Sequence, residues 1–464
     1  MSNSIKSFDD IKKIHFVGVG GIGLSRLAKY FALKGKQVSG SDIADSPVFE
    51  NLKAVGVDIN ISHDKKNIPS DTEVLIYSSA IGAENIERQY AIEQNIAQLE
   101  HFEAIAILSK DHQTIAIAGT HGKSTVTTMI GFVLEEAGLD PTVFVGSRVK
   151  EWGGNVRIGQ SDIFVVEADE LNRQFLHLNP KMLVINNIEP DHLDYYKDFA
   201  DIASAFSDLC YRITDGGVLF YNSDDFGVTD VAKRIKDRTK LDFGKNAKNL
   251  KLNSINTKAG AIEFEVVYKK QKINLSLKVP GEFNVYNSLA AISVGLRLNI
   301  APEVIKTALE RYHGIWRRFE ILGNAFGAEI VSDYGHHPSA ITATMKAAVN
   351  WYAGKRILLV YQPHQKKRTQ IFFNEFVKAL SEVKSAGLWV VKVFDVAGRD
   401  DETEEKISSL DLVQEISKKR SDVEYLQSLT VTKEKVSKAT QKYDVIIFMG
   451  AGDIYKVAEE IVKA

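Results

Sequence analysis

Thr114-Ile-Ala-Ile-Ala-Gly-Thr-His-Gly-Lys-Ser-Thr125 is the stretch on which the reading of this chain turns. A β-branched run, Thr114–Ala118, enters a glycine-bearing loop, and a long helical pattern then continues to about Gly138. Strand, loop and helix in that order make a cradle for phosphate, because successive backbone amides and the helix N-terminus point at the anion. The amides of Gly119, Thr120, His121, Gly122, Lys123, Ser124 and Thr125 would surround phosphate oxygens, Lys123 would reach the terminal phosphates, and the Ser124 hydroxyl would bind Mg²⁺. The loop is one residue type short of the usual eight-residue pattern, since Ile117 stands where that pattern has its first glycine. A purely structural role would leave Lys123 as a buried or solvated lysine in a tight turn; the residue types together favour an ATP site.

Working outward, the run Ile163–Val166 ends in Glu167-Ala-Asp169-Glu170, and Met182–Asn186 ends in Asn187-Ile-Glu189-Pro-Asp191-His192. Ligands of open α/β sheets bind beyond the carboxyl ends of the strands, so both clusters are expected to face the loop. A carboxylate brought against a triphosphate meets anion–anion repulsion. Hard oxygen donors such as Glu167 and Ser124 suit Mg²⁺, which relieves it, and His192 would serve a second Mg²⁺ or orient the reacting group. Any one of these acids alone would more often be a cap or a surface charge.

Toward the N-terminus, Ile14–Val19 reads as a strand into Gly18-Val-Gly20-Gly21-Ile22-Gly23, which opens a helix Ile22–Leu33; Ser41-Asp42 closes the next strand, Gln37–Ser41. That spacing fits a nucleotide diphosphate at a helix N-terminus with an acid for a ribose hydroxyl. Alone it would suggest NAD, and the glycines could also merely tighten a turn; no hydride-transfer site follows later in the chain. Val74–Tyr77 and Ile86–Asn95 continue the alternation of strand and helix. A polar break, 109–113, separates this series from the next.

The second series adds a strand at Val218–Tyr221, a helix Ile202–Arg212, an expected hairpin of Ala261–Tyr268 with Lys272–Val279, and helices Asn284–Leu298 and Pro302–Arg311. Past His313-Gly314 a third series has strands at Ile330–Ser332, Ile357–Tyr361, Trp389–Phe394 and Val445–Met449, with helices Ser339–Trp351 and Asp453–Val462. The fold class is therefore α/β with three domains, 1–110, 111–313 and 314–464, each a mostly parallel, doubly wound sheet, Rossmann-like at both ends and P-loop-like in the middle.

Composition agrees with that class. Of 464 residues 44% are hydrophobic and 25% charged, and the net charge of -2 provides no positive field for a nucleic-acid backbone. One cysteine, Cys210, excludes an internal disulfide and reads as a buried apolar residue in a reducing compartment. The first residues carry no apolar run before the strand, and no stretch is long enough to span a bilayer, so a cytoplasmic location is expected.

Gly119–Ser124, Glu167–Glu170, Asn186–His192, Gly281-Glu-Phe-Asn-Val-Tyr-Asn287, Arg317-Arg-Phe-Glu320, Asp333-Tyr-Gly-His-His-Pro338, Gln362-Pro-His364 and Met449-Gly-Ala-Gly-Asp-Ile454 occur in an order that resembles the Mur ligases over nearly the whole chain. Gly18–Gly23, Ser78-Ser79-Ala80, Phe175-Leu-His-Leu178 and Phe448–Asp453 look most like the L-alanine-adding branch. The resemblance implies domains for the UDP-sugar, for ATP and for the amino acid, and an amide formed between UDP-N-acetylmuramate and L-alanine through an acyl phosphate. It reassigns the first glycine loop, with Ser41, Asp42, Ser78, Ser79 and Ala80, to the UDP-sugar. It further implies Lys123 and Ser124 on the β- and γ-phosphates, Glu167 sharing the Ser124 metal, His192 on a second ion, and Asn284 and Asn287 on adenine. Arg318 and Asp333 would reach phosphates and ribose, and Tyr334, His336, His364 and Arg368 would surround the acyl phosphate and alanine; the implied catalytic set is Lys123, His192, Arg318 and His336. A monomer or homodimer is expected.

Three departures accompany the likeness. Leu171-Asn172 replaces the usual Ser-Asp or Tyr-Asp, Gln365 stands where an arginine usually follows His364, and Ser339-Ala340 lacks an acid often found there. His336-His337-Pro338 could instead be a capping turn, Lys366-Lys367-Arg368 a solvated patch, and zinc is not expected, because adjacent histidines point apart and no third ligand is evident. The rivals are a ligase that recycles the murein tripeptide by the same chemistry, a non-catalytic nucleotide-binding homologue, and an NAD-dependent oxidoreductase.

Overall fold

The computed structural model describes residues 5–46, 48–190, 195–258, 260–395 and 407–463. Its strands form three sheets, one for each α/β series. In the first, β1 (Lys13–Val17), β2 (Gln37–Ser41), β3 (Asp58–Asn60), β4 (Val74–Tyr77) and β5 (Ala97–Glu100) lie in the order β3-β2-β1-β4-β5, every neighbour parallel. The reversal of strand order beside β1 is the switch point at which such sheets bind ligands, and Gly18 stands there with φ +86°, a left-handed backbone that ends β1 at Val17 instead of Val19.

The second sheet is built from β6 (Gln113–Ala118), β7 (Thr142–Val149), β8 (Gly154–Arg157), β9 (Ile163–Glu167), β10 (Met182–Ile185), β11 (Val218–Asn222), β12 (Thr239–Gly244), β13 (Leu250–Lys258), β14 (Ala261–Tyr268) and β15 (Gln271–Leu277). Its order is β15-β14-β13-β12-β11-β10-β6-β9-β7-β8, which sets β6 between β10 and β9 and brings their carboxyl ends together, as the sequence required. The helix Lys123–Glu136 follows β6 and is buried from Ser124 through Leu134, so its charged start and apolar body are fixed by the same packing. The expected hairpin is present: a two-residue turn, Lys269-Lys270, has φ +47° and +69°, the left-handed pair that a tight right-twisted hairpin needs.

The third sheet contains β16 (Glu320–Ala325), β17 (Ala328–Asp333), β18 (Ile357–Tyr361), β19 (Gly387–Val391), β20 (Val423–Leu426) and β21 (Val445–Met449), ordered β16-β17-β21-β18-β19-β20. Only β16–β17 is antiparallel in this sheet. Strands β18, β19 and β21 are buried at every position, the signature of a sheet covered on both faces. By compactness the chain divides into two units: Met1–Asn253 with Val266–Ile273 and Tyr286–Leu309, and Ser254–Glu265 with Asn274–Val285 and Glu310–Ala464. The first two sheets share an apolar core in the first unit, where Tyr30 and Phe31 cluster with Phe144 and Phe164.

Several expected ends shift for local reasons. The helix from Ile86 stops at Glu93 because Asn95 adopts φ +54° and the Ile96 amide closes on the Ala91 carbonyl at 2.8 Å. The strand expected over Trp389–Phe394 stops at Val391, and Phe394 makes only an isolated bridge to His364. Strands β3, β5, β7, β8, β12, β13, β16 and β20 add to those expected from the sequence; β3 and β5 are short, half-exposed and polar in part, so they lack the apolar run that marks a central strand.

Candidate active site

The loop after β6 is shaped by its glycines. Gly119 has φ +139° and Gly122 φ +84°; a Cβ on Gly122 would meet Asn287 Oδ1 at 2.5 Å and Asn186 Nδ2 at 2.9 Å. The loop is moored to the segment after β10. The His121 amide donates to Asn187 Oδ1 at 2.7 Å, the Thr120 amide to the Asn187 carbonyl at 3.1 Å, and the Glu189 amide to Thr120 Oγ1 at 2.9 Å. His121 Nε2 lies 3.4 Å from Glu189. This mooring role of Asn186 and Asn187 goes beyond what their motif implies; the pair of asparagines directly after a strand is the sequence signal for it.

Lys123 folds back over the loop. Its ammonium donates to the Gly119 carbonyl at 2.7 Å and to both oxygens of Glu170 at 2.7 and 3.0 Å. Burial by itself would depress the lysine pKa, but Glu170, Asp169 and Glu167 reverse that and raise it, so the side chain stays a cation. Glu170 is 3% exposed, and burial pushes its pKa up against the opposing pull of Lys123. This partnership was not foreseen from the sequence, where Glu170 was merely the last acid of its cluster.

Ser124 Oγ donates to Glu167 Oε2 at 3.0 Å, and the Gly146 amide, on β7, donates to the other oxygen. A Cβ at Gly146 would sit 2.9 Å from Glu167 Oε2, so glycine is what admits the carboxylate there. The structure thus brings Lys123, Ser124 and Glu167 together as the sequence implied, and adds Glu170 and Gly146. Thr125 is buried in the first turn of the helix. His192 lies outside the described residues, as does Asp191. Asn287 Oδ1 accepts from Asn186 Nδ2 at 2.8 Å, and Asn284 Nδ2 donates to the Pro280 carbonyl at 2.7 Å; both amides are buried.

At the first loop, the Gly18 and Val19 amides donate to the Ser41 carbonyl at 2.8 and 3.0 Å, and Gly20 donates to Asp42 Oδ2 at 2.8 Å. Gly21 caps the helix Ile22–Leu33, and Ile22 is 40% exposed at its start. Gly23 packs against His101. The Ser41 side chain departs from expectation. It is fully buried and bonded to Glu87 and His63, so its hydroxyl belongs to an internal network with His15 instead of to the loop, while its carbonyl holds the loop in place. Ser78 is half-buried behind Gly18, Ser79 donates to Glu100, and Ala80 is exposed.

In the second unit, Tyr334, His336, His364 and Arg368 do converge. The His336 ring lies 5.2 Å from Tyr334 and 6.1 Å from His364, and Arg368 Nη1 is 3.5 Å from His364 Nδ1. Desolvation, then Arg368, lowers the His336 pKa to about 3, so the ring is neutral at physiological pH. Gln362 donates to Asp453 at 2.9 Å and accepts from the Ile454 amide at 3.0 Å, which fixes the segment leading to His364. Arg318 is exposed, with its guanidinium 5.0 Å from the Tyr334 ring; Arg317 is buried on the Gly450 and Gly452 carbonyls. Asp333 accepts from the Phe319 and Gly335 amides at 2.9 and 2.8 Å, so it shapes the arginine-bearing turn. His337, not His336, is the helix cap: it accepts from the Ser339 amide at the start of Pro338–Trp351.

Two glycine-bearing loops, each between a strand and a helix at the switch of a parallel sheet, and a serine set against a carboxylate beside one of them define the class of α/β nucleotide-binding enzymes. Family models agree along the chain: "Mur ligase family, catalytic domain" matches residues 13–113, "Mur ligase middle domain" 117–295 and "Mur ligase, glutamate ligase domain" 317–452. The chain belongs to the Mur ligase family. It is similar to the UDP-N-acetylmuramate–L-alanine ligase of Clostridium tetani, 37% identical over 98% of each chain. Among solved structures, the UDP-N-acetylmuramate-alanine ligase of Thermotoga maritima superposes with TM-score 0.82 at 25% identity, covering 97% of this chain and 98% of that one. A murein peptide ligase from Psychrobacter arcticus shares the fold at TM-score 0.71 and 20% identity, covering 97% and 98%.

Proposed function

We propose that this Mur ligase joins the carboxylate of UDP-N-acetylmuramate to the amine of L-alanine, converting ATP to ADP and phosphate. The observation that carries the chemistry is the Ser124–Glu167 contact at the mouth of the Gly119–Thr125 loop, beside a lysine kept cationic. The substrates rest on relatives of that name that match 98% of the chain.

Among the described residues no group of three His, Cys, Asp or Glu is placed to hold a metal. Mg²⁺ takes few protein ligands beside phosphates and water, so a serine hydroxyl and one carboxylate are a sufficient protein share of its shell. Ser124 and Glu167 supply hard oxygen donors for it, with His192 proposed for a second ion. When bound, Mg²⁺ offsets the negative charge of the phosphates. Lys123 must exchange Glu170 for phosphate when ATP enters, and the loop amides bind the charge that develops on transfer. The sugar carboxylate then attacks the γ-phosphorus to give an acyl phosphate and ADP. The uncharged alanine amine attacks the acyl carbon, forming the amide and releasing phosphate. Tyr334, His336, His364 and Arg368 would seat the amino acid: Arg368 matches its carboxylate and neutral His336 adds no charge beside its amine. Asn284, Asn287, Asp333 and Arg318 are proposed for adenine, ribose and phosphates, and the Gly18–Gly23 loop with Asp42 and Ser78–Ala80 for the UDP-sugar.

The test is phosphate release and product mass with UDP-N-acetylmuramate, ATP, Mg²⁺ and a set of amines. The expected result is UDP-N-acetylmuramoyl-L-alanine, with L-alanine ahead of glycine and L-serine in kcat/KM. Release with L-alanyl-γ-D-glutamyl-meso-diaminopimelate but not L-alanine would make the protein a recycling ligase. ATP binding with no release for any amine would make it a non-catalytic homologue.

A further inference from the structure

Arg26 occupies the core face of the helix Ile22–Leu33, one turn beyond Gly23, among the buried Leu24, Leu27, Ala28 and Phe31. It is 7% exposed, and no described residue gives it a hydrogen bond or an ion pair; its Nε is sealed from solvent without a partner. The guanidinium instead lies 5.5 Å from the centre of the Phe144 ring on β7, two residues before the Gly146 that receives Glu167. Asn155 of β8 donates to the Ile22 carbonyl at 2.7 Å, so the start of this helix is fastened to the sheet that carries the phosphate loop. Burial lowers the arginine pKa while Glu167 and Asp169 act to raise it, which puts those carboxylates within electrostatic reach.

A buried arginine that merely balanced those acids would be expected to bond one of them. Arg26 bonds neither. An unpaired buried guanidinium is costly, and its planar fork is matched by a carboxylate taken edge on. Arg26 sits on the helix that begins at the diphosphate loop and faces the strand ends of the phosphate-loop sheet. In the proposed reaction the group that must pass between those two loops is the sugar's own carboxylate.

We propose that Arg26 is the anchor of the reacting carboxylate of the nucleotide-sugar, holding it against the γ-phosphate and offsetting the repulsion between the two anions. The inference rests on the function proposed above and adds a residue to it. His101, beside Gly23, is kept neutral by burial and by Arg26, its pKa lowered to about 3, so it adds no second positive charge next to Arg26.

The test compares wild type, Arg26→Met and Arg26→Lys by calorimetric titration with UDP-N-acetylmuramate and with UDP-N-acetylglucosamine, which lacks the carboxylate; melting curves check the fold. Wild type should prefer the acid nucleotide. Arg26→Met should lose about tenfold or more for it and little for the other, KM for the acid nucleotide should rise with KM for ATP held, and Arg26→Lys should recover part. Equal losses for both nucleotides, no loss for either, or a wild type indifferent to the carboxylate would overturn the assignment. If wild type prefers the acid nucleotide through Arg26 yet forms no amide with L-alanine, the assignment stands and the proposed function fails.

Discussion

At the scale of single residues the Lys123–Glu170 pair carries two roles that mutation can separate. Lys123→Ala leaves a buried carboxylate without its partner, so we expect a stability loss of about 3 kcal/mol in urea unfolding together with loss of phosphate release. Lys123→Ala/Glu170→Gln should regain most of the stability and none of the activity; equal recovery of both would mean that Lys123 serves only the fold. His336 gives a pH prediction with a definite sign. Its native pKa, about 3, lies below the ordinary value near 6.5, so the unfolded chain binds the extra proton. The contribution is present above about pH 6.5 and lost progressively as pH falls toward 3. His336→Asn should therefore flatten the acid limb of unfolding free energy against pH, and an unchanged slope would show that the ring is not desolvated. These partnerships were not legible in the sequence. Lys123, Ser124 and Glu167 could be placed from motif and strand-end position, whereas the choice of Glu170 over Asp169 as the lysine's partner depends on how the turn after β9 folds, with Asn172 and Arg173 both at left-handed φ.

Among elements, β6 with its loop and helix was legible because an apolar strand, two glycines and a buried helix all argue for one structure. The strands that flank it supplied the acids from their carboxyl ends as the parallel order requires. What stayed hidden was the support from β7: Gly146 stands in an otherwise ordinary β-branched run, and its meaning appears only when Glu167 is seen against it. Gly146→Ala should push the carboxylate away from Ser124, and we expect the Mg²⁺ concentration for half-maximal activity to rise several-fold with a small change in melting temperature. An unaltered Mg²⁺ dependence would remove Glu167 from the metal site. Gly122→Ala is a harsher change, since φ +84° and a 2.5 Å approach to Asn287 both oppose a side chain. About 1–3 kcal/mol of strain is expected, read as lost ATP affinity in equilibrium titration.

For the whole molecule, the three α/β series and their order were readable from alternating strand and helix patterns, and the strands form three mostly parallel sheets in that order. Short edge strands escaped because their pairing comes from the neighbouring strand and not from their own apolar content. The Ser41 hydroxyl likewise turned inward because Glu87 and His63, both distant in sequence, claim it. No helix among the described residues is long and apolar enough to cross a membrane. The claim on which the account depends is that ATP activates the sugar carboxylate, and oxygen tracing tests it directly. UDP-N-acetylmuramate labelled with ¹⁸O in its carboxylate should deliver one labelled oxygen to each phosphate released during turnover with L-alanine. Phosphate released without label, while amide accumulates, would contradict the acyl-phosphate route and the role given to the Gly119–Thr125 loop.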